Sequence, residues 1–260
     1  MRTDVNVFLG SYPFRRIPGT SVGAILEAME RVGTDEAWVS HLPGVFWKDP
    51  AEGNGWLYEV SGMEPSLRPV PAVQPELAHW EEILDEAKAR KAPAVRCDPG
   101  FHGMDPTGSP IRSLIAACGE IGLPLMMAVR LEDIRQRHPN DAAPDLTPGA
   151  VRALVRSHPK TRFAITNAER SFVEEVHFGS TPEEAARIWW DICWIWGPPE
   201  NHLATLLSTV GPDRFVYGTA MPLRIPENGV AKLDLTNMSS EHRAMIESGN
   251  ARRLSGMEQS

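Results

Sequence analysis

The sequence has few cysteines and no excess of positive charge. Its 260 residues contain 3 cysteines (Cys97, Cys118 and Cys193) and no Cys-x-x-Cys pair, which argues against a disulfide framework and a structural zinc site. The formal net charge of −8 argues against a nucleic-acid partner, because no broad basic face would offset phosphate repulsion. We therefore expect a reduced, cytoplasmic protein.

Long apolar runs and glycine-rich ligand loops are also missing. No apolar stretch approaches the ~20 residues that cross a bilayer, and no signal peptide is evident, so no membrane partner is expected. The chain has no GxGxxG or GxxxxGK[ST] loop for a nucleotide and no GxSxG turn for a catalytic serine. The sequence thus predicts no cofactor and no serine-hydrolase triad.

The chain instead alternates short apolar runs with amphipathic segments. Eight such alternations within 260 residues favour an α/β fold of the (β/α)8 TIM-barrel type over an open doubly wound sheet. We expect one domain over residues 1–260. The predicted strands are 4–9, 37–40, 69–73, 94–97, 125–129, 163–166, 188–193 and 215–218, and the predicted helices are 21–32, 55–63, 78–89, 111–121, 148–157, 171–178, 203–210 and 241–247.

Polar residues at the predicted strand ends are the candidates for a site, because the loops after barrel strands build the active site. Arginine has a planar fork that suits a carboxylate, so Arg96 and Arg130 would clamp a small carboxylated molecule. Proton transfer is assigned to Asp191, His102 and Glu169. The predicted substrate-binding residues are Asn6, Arg15, His41, Arg96, Arg130 and Asn167.

Structural roles stay open for several of these side chains. Arg96 could pair with Asp98 inside the barrel, and Asp191 could be a core ion-pair partner, since a buried carboxylate must be paired or protonated. His41 is expected to be structural, although a replacement metal site of His41, Asp98 and His102 is conceivable. The alternatives for His102 are evenly balanced.

Neighbouring segments leave further alternatives. In the tryptophan-rich segment 189–196 most rings are expected in the core, with Trp194 or Trp196 as a pocket wall. A solvated, salt-bridged segment is expected around Glu132, Asp133 and Arg135. The loop 44–55, which is rich in glycine and aromatic residues, would be a lid over the pocket or a subunit contact.

Five segments resemble the decarboxylase-type branch of the amidohydrolase superfamily. They are DVNVFLG, IGLPLMMAVR, HPKTRFAITNA, GPDRFVYGTAMP and ESGNARRLSG. The first four resemble the first, fifth, sixth and eighth strands of that family, and the last is similar to its C-terminal signature. Because the segments extend over nearly the whole chain in the same order, the resemblance implies an amidohydrolase-like barrel.

The same resemblance implies a metal site whose ligands are replaced in this chain. The family normally has His-x-His on the first strand, a histidine on each of the fifth and sixth strands, and an aspartate after the eighth. Phenylalanine and alanine offer no lone pair to a divalent ion, and neutral asparagine is a poor zinc ligand. We therefore predict no metal at the corresponding positions, which are Asn6, Phe8, Ala128, Asn167 and Ala220.

Two classes of function follow from these patterns. The first is a hydrolase, decarboxylase or lactonase that acts without the family's metal on a small carboxylated substrate. The alternative is a non-catalytic barrel that binds a ligand or serves as a structural or regulatory partner of an active homologue, in a homo-oligomer or a hetero-oligomer. Convergence of Arg96, Arg130 and Asp191 on an open cavity would favour the first class, and their pairing inside the barrel would favour the second.

Overall fold

The computed structural model of the chain describes residues 1–257, so the last three residues of the predicted domain lie outside the described residues. Strands and helices alternate along this part of the chain. The strands are β1 Thr3–Leu9, β2 Glu36–His41, β3 Leu67–Pro69, β4 Val95–Arg96, β5 Leu125–Ala128, β6 Phe163–Thr166, β7 Ile188–Asp191 and β8 Phe215–Val216. The helices are α1 Val22–Val32, α2 Ala51–Met63, α3 Trp80–Ala89, α4 Ser109–Ile121, α5 Pro148–Ser157, α6 Arg170–Phe178, α7 Pro182–Ala185, α8 His202–Thr209, α9 Glu227–Leu235, α10 Ser240–Ala244 and α11 Asn250–Ser255.

All strand pairs are parallel and form two sheets, β1–β2–β3 and β4–β5–β6–β7–β8. Backbone hydrogen bonds join the sheets at both seams. The Arg96 amide donates to Pro71 O at 2.9 Å on one side, and the Phe8 amide donates to Met221 O at 2.8 Å on the other. The strands therefore form the closed parallel barrel that the sequence predicts.

The apolar core has two shells, as the alternation of side chains along a strand requires. Leu125 and Met127 of β5 pack outward against the helices. Met126 lies between them and points inward, in a cluster with Trp38 and Trp189 that α11 closes at the amino end of the barrel. These large side chains fill the amino end of the barrel. The polar side chains of the interior therefore lie near the carboxyl ends of the strands.

Several predicted boundaries differ from the structure for identifiable reasons. The strand predicted over 69–73 is β3 at Leu67–Pro69, since Pro69 and Pro71 have no amide hydrogen for a sheet ladder. The helix predicted to stop at Gly249 continues, because Gly249 has helical dihedrals (φ −57°, ψ −45°) and joins a π-helical turn to α11. Helix α9 was not predicted.

The loop predicted over 44–55 is partly helical. A 3-10 turn spans Pro43–Val45, and α2 begins at Ala51. Phe46 belongs to an apolar cluster of the barrel mouth, and Trp47 lies against His41 with ring centroids 4.9 Å apart. The segment is thus packed onto the mouth of the barrel.

No helix within residues 1–257 combines the length and the apolar character that a bilayer span requires.

Two glycines of α2 should respond in opposite ways to alanine. Gly55 has open space around its Cα, so Gly55→Ala should raise the free energy of unfolding by about 0.5–1 kcal/mol through helix propensity. At Gly53 a Cβ atom would lie 2.3 Å from His41 Nδ1, so Gly53→Ala should lower stability. Urea denaturation of both variants tests the packing of α2 on His41, and equal effects of the two substitutions would contradict it.

Candidate functional site

Three polar side chains meet across the mouth of the barrel. Asn6 of β1 donates its Nδ2 to Asn167 Oδ1 at 3.0 Å and to Asp191 Oδ2 at 2.7 Å. Asn167 follows β6 with a left-handed φ of 60°, and its amide donates to Asp191 Oδ1 at 2.9 Å. The Asp191 carboxylate, at the end of β7, is thus held by two asparagines from other strands.

A buried cation extends this network. Arg96 of β4 donates from Nη2 to Asn6 Oδ1 at 3.1 Å, and its Nη1 lies 3.7 Å from Asp98 Oδ2. The other oxygen of Asp98 accepts the Ala128 amide at 2.7 Å. The Arg96 guanidinium also lies over the Phe8 ring, 4.5 Å from its centroid, a cation–π distance. Arg96 and Asp98 therefore form the internal pair that was one of the two alternatives for them.

An apolar cap covers this network. Phe8, Tyr12, Leu42, Val45 and Leu131 are buried together at the mouth. Below the cap Arg96 and Asp191 are each only 1% exposed. Arg130, the third member of the predicted convergence, instead pairs with Asp145 at 3.0 Å near the rim. The three side chains are therefore paired and do not converge on an open cavity.

Burial dominates the electrostatics of this region. It raises the pKa of Asp191, against the opposing effect of hydrogen bonds from Cys193, Asn167 and Asn6, and it lowers the pKa of Arg96 against the attraction of Asp98. Burial also raises the pKa of Asp4 to about 7, although Thr219 donates a 2.6 Å hydrogen bond to its carboxylate. Burial thus shifts the pKa of both aspartates upward.

An open cleft lies beside the network, at the carboxyl ends of β5 to β8. Its volume is about 450 Å³, and its walls include Glu169, Cys193, Trp194, Arg224 and Lys232. Lys232 of α9 donates from Nζ to the carbonyls of Ile192 and Cys193 at 2.9 and 2.7 Å, which fixes the segment after β7. The cleft is therefore large enough for a small organic ligand.

Arg224 supplies a positive charge to the cleft. Its guanidinium stacks on the Trp194 ring at 3.9 Å from the centroid. Arg224 makes no ion pair within residues 1–257, in contrast to Arg214 and Arg243, which pair with Asp213 and Asp234. A stacked guanidinium with free donors suits a planar anion.

The remaining predicted site residues lie outside both the buried network and the cleft. Arg15 pairs with Glu132, which is buried rather than solvated as expected, whereas Asp133 and Arg135 form the expected surface pair at 2.8 Å. His41 lies between Trp47 and Trp56, and burial lowers its pKa. These contacts give Arg15 and His41 a structural role in the fold.

His102 shares a second, much smaller cavity with Arg96 and Asp98. The volume of this cavity is about 10 Å³, which is enough for about one water molecule. Burial lowers the pKa of His102. An organic substrate would not fit beside these three side chains.

The side chains at the positions that the resemblance assigns to the family's metal ligands contact other groups of the protein. Asn6 turns its amide nitrogen toward Asn167 and Asp191, and its oxygen accepts from Arg96. Phe8 and Ala128 are part of the apolar cap. Within the described residues, no three side chains of His, Cys, Asp or Glu are grouped so that they could hold a metal ion.

The sequence profile of the Amidohydrolase family matches residues 64–256. The chain belongs to the amidohydrolase family. This result confirms the amidohydrolase resemblance; four of the five segments lie within the matched residues, and DVNVFLG precedes them. No curated protein sequence is significantly similar to the chain.

Solved structures share the fold of this amidohydrolase-family chain. The 2,6-dihydroxybenzoate decarboxylase from Rhizobium is 14% identical, with a TM-score of 0.74 over 99% of each chain. A dihydroxybenzoic acid decarboxylase from Polaromonas sp. JS666, with bound manganese and the inhibitor 2-nitroresorcinol, is 12% identical, with a TM-score of 0.75 over 100% of this chain and 98% of the other. A TIM-barrel protein from Bordetella bronchiseptica is 16% identical, with a TM-score of 0.69 over 98% of this chain and 99% of the other. These similarities confirm the barrel.

Sequence reasoning missed Arg224 and Lys232. Arg224 lies six residues past the last predicted strand end, and Lys232 is on α9, where no helix was predicted. Trp194 was foreseen as one alternative for a pocket wall. A signal for Arg224 is its place in MPLRIP, just after the eighth-strand motif, since loops after barrel strands build sites.

The buried Asp4 makes stability depend on pH in a defined direction. Because its pKa rises from 3.8 to about 7 in the folded protein, its contribution to stability is full below about pH 4 and is lost as the pH rises through 7. The loss is up to about 4 kcal/mol. Asp4→Asn imitates the protonated form, so the stability of the wild type relative to this variant should fall between pH 4 and pH 8 in urea denaturation. Parallel pH profiles of the two proteins would contradict this assignment.

Proposed function

We propose that this amidohydrolase-family protein is a decarboxylase-type enzyme that acts on a small aromatic carboxylate without the family's metal. The substrate would bind in the cleft beside β7 and β8. The observation that supports this most directly is Arg224, which is stacked on Trp194 at 3.9 Å and makes no ion pair within the described residues.

The cleft suits an aromatic carboxylate in both shape and charge. Trp194 is only 8% exposed and carries Arg224 on its ring, whereas Trp196 is 58% exposed. Trp196 therefore offers flat apolar surface in the cleft that also contains a guanidinium. An aromatic ring can pack on this surface while its carboxylate accepts hydrogen bonds from Arg224. Two proteins of similar fold are decarboxylases of dihydroxybenzoates, which supports the same substrate class here.

Glu169 is the residue to which we assign the proton transfer. It follows β6 and lines the cleft, and it was among the three predicted proton-transfer groups. Glu169 would relay a proton from a solvent hydronium ion to the ring carbon that carries the carboxylate, after which the carbon–carbon bond breaks and CO2 leaves. The neutral arene, CO2 and water are the products and Glu169 is regenerated, so charge and atoms balance.

Arg96 and Arg130 are paired and Asp191 is buried, so these three side chains do not converge on an open cavity. This arrangement favours a second function, a non-catalytic barrel that binds the carboxylate. Asp191 is 1% exposed and held by two asparagines, and His102 faces a cavity of about 10 Å³. Two of the three predicted proton-transfer groups are therefore out of reach of the cleft. Ligand binding without turnover, for a regulatory or structural partner, would follow if Glu169 alone is insufficient.

Binding is tested by titrating the protein with benzoate and 2,6-dihydroxybenzoate while tryptophan fluorescence and heat are recorded. Arg224→Gln should weaken binding about tenfold or more, because a charge-assisted hydrogen bond is lost. The control is Arg135→Gln, which removes the same charge from the same cleft at a residue that already pairs with Asp133. Equal affinities of the two variants would contradict the assignment of Arg224.

Turnover is tested by measuring CO2 release from 2,6-dihydroxybenzoate in the presence of EDTA. We expect release by the wild-type protein and a fall in kcat, with little change in binding, for Glu169→Gln. Binding without release would favour the non-catalytic function. Release that needs added zinc or manganese would contradict metal independence.

A further inference from the structure

We infer that the Arg96 guanidinium is the resident cation of the barrel mouth and occupies the region in which the family's metal ion would bind. The inference deepens the proposed metal-independent function and rests on that part of it. It identifies which side chain fills the space and carries the positive charge.

The contacts of Arg96 locate its charge. Its Nη2 lies 3.1 Å from Asn6 Oδ1 and 3.1 Å from Met126 Sδ, and its guanidinium lies 4.5 Å from the centroid of Phe8. Asn6 and Phe8 are the two first-strand positions that correspond to the family's His-x-His. The cation is therefore in direct contact with both.

The other three substituted positions join the same network through single hydrogen bonds. The Ala128 amide donates to Asp98 Oδ1 at 2.7 Å and so holds the counter-charge of Arg96. Asn167 accepts from Asn6 at 3.0 Å, and the Ala220 amide donates to Asn6 O at 2.8 Å. The side chains of Asn6, Phe8 and Asn167 and the backbone at Ala128 and Ala220 thus belong to one arrangement around Arg96.

The charge balance of the network depends on the pair of Arg96 with Asp98. A guanidinium stays charged inside a protein, so its burial requires a compensating anion. Asp98 supplies that anion at 3.7 Å, with only 3% of its side chain exposed. Loss of either partner would leave the other charge buried without compensation. A divalent ion would add positive charge next to the Arg96 guanidinium.

A double-mutant cycle on Arg96→Met and Asp98→Asn tests the inference through urea denaturation. Arg96→Met should raise the unfolding equilibrium constant by roughly two orders of magnitude. The double variant should be less destabilised than the two single variants added together, because it removes both charges. The matched control is Arg135→Met with Asp133→Asn, an exposed pair that should show nearly additive effects.

Ion dependence supplies the second measurement. The unfolding midpoint of the wild-type protein should be the same in EDTA, in zinc and in manganese. If Arg96→Met does not fold, Arg96→Gln replaces it in the cycle, because glutamine also removes the charge. Additive effects of Arg96 and Asp98, or a midpoint that falls in EDTA, would overturn the inference. Neither readout involves the cleft, so failure of ligand binding or turnover is recognised separately.

Discussion

The Asn6 side chain is the link on which the mouth of this barrel depends. Its amide nitrogen joins β1 to Asn167 after β6 and to Asp191 at the end of β7, and its oxygen accepts from Arg96 of β4. One neutral side chain therefore connects four of the strands across the interior. Buried polar groups are costly unless hydrogen-bonded, so this network also fixes the relative positions of those strands.

Because the mouth of the barrel is closed, the polar side chains that a ligand could reach lie near its rim. The apolar cap around Phe8 and Tyr12 covers the centre of the barrel, and the described cleft of about 450 Å³ lies to one side, where Trp194 and Arg224 form its walls. Lys232 holds that wall through two backbone carbonyls. The fold thus keeps an open cleft among the loops at the carboxyl ends of its strands, while the space inside them is filled.

The fold could be predicted from the sequence because it depends on repeated local patterns. The strand at Phe163–Thr166 and the helix at Pro148–Ser157 have the predicted bounds, since each combines a clear apolar pattern with a clear start or stop. The end at Gly249 was wrong because a glycine stops a helix only where the backbone turns left-handed, and here φ is −57°. The sequence does not reveal that difference.

The candidate site was harder to predict, because position at a strand end does not determine whether a polar side chain is free. Arg96, Asp98 and Asp191 all follow the expected placement, yet each has a buried partner from another strand. Arg224, in contrast, contacts the Trp194 ring and otherwise faces the open cleft. Pairing between residues about a hundred positions apart, such as Arg96 with Asn6, leaves no local pattern. Such partners decide which of many polar residues stays available to a ligand.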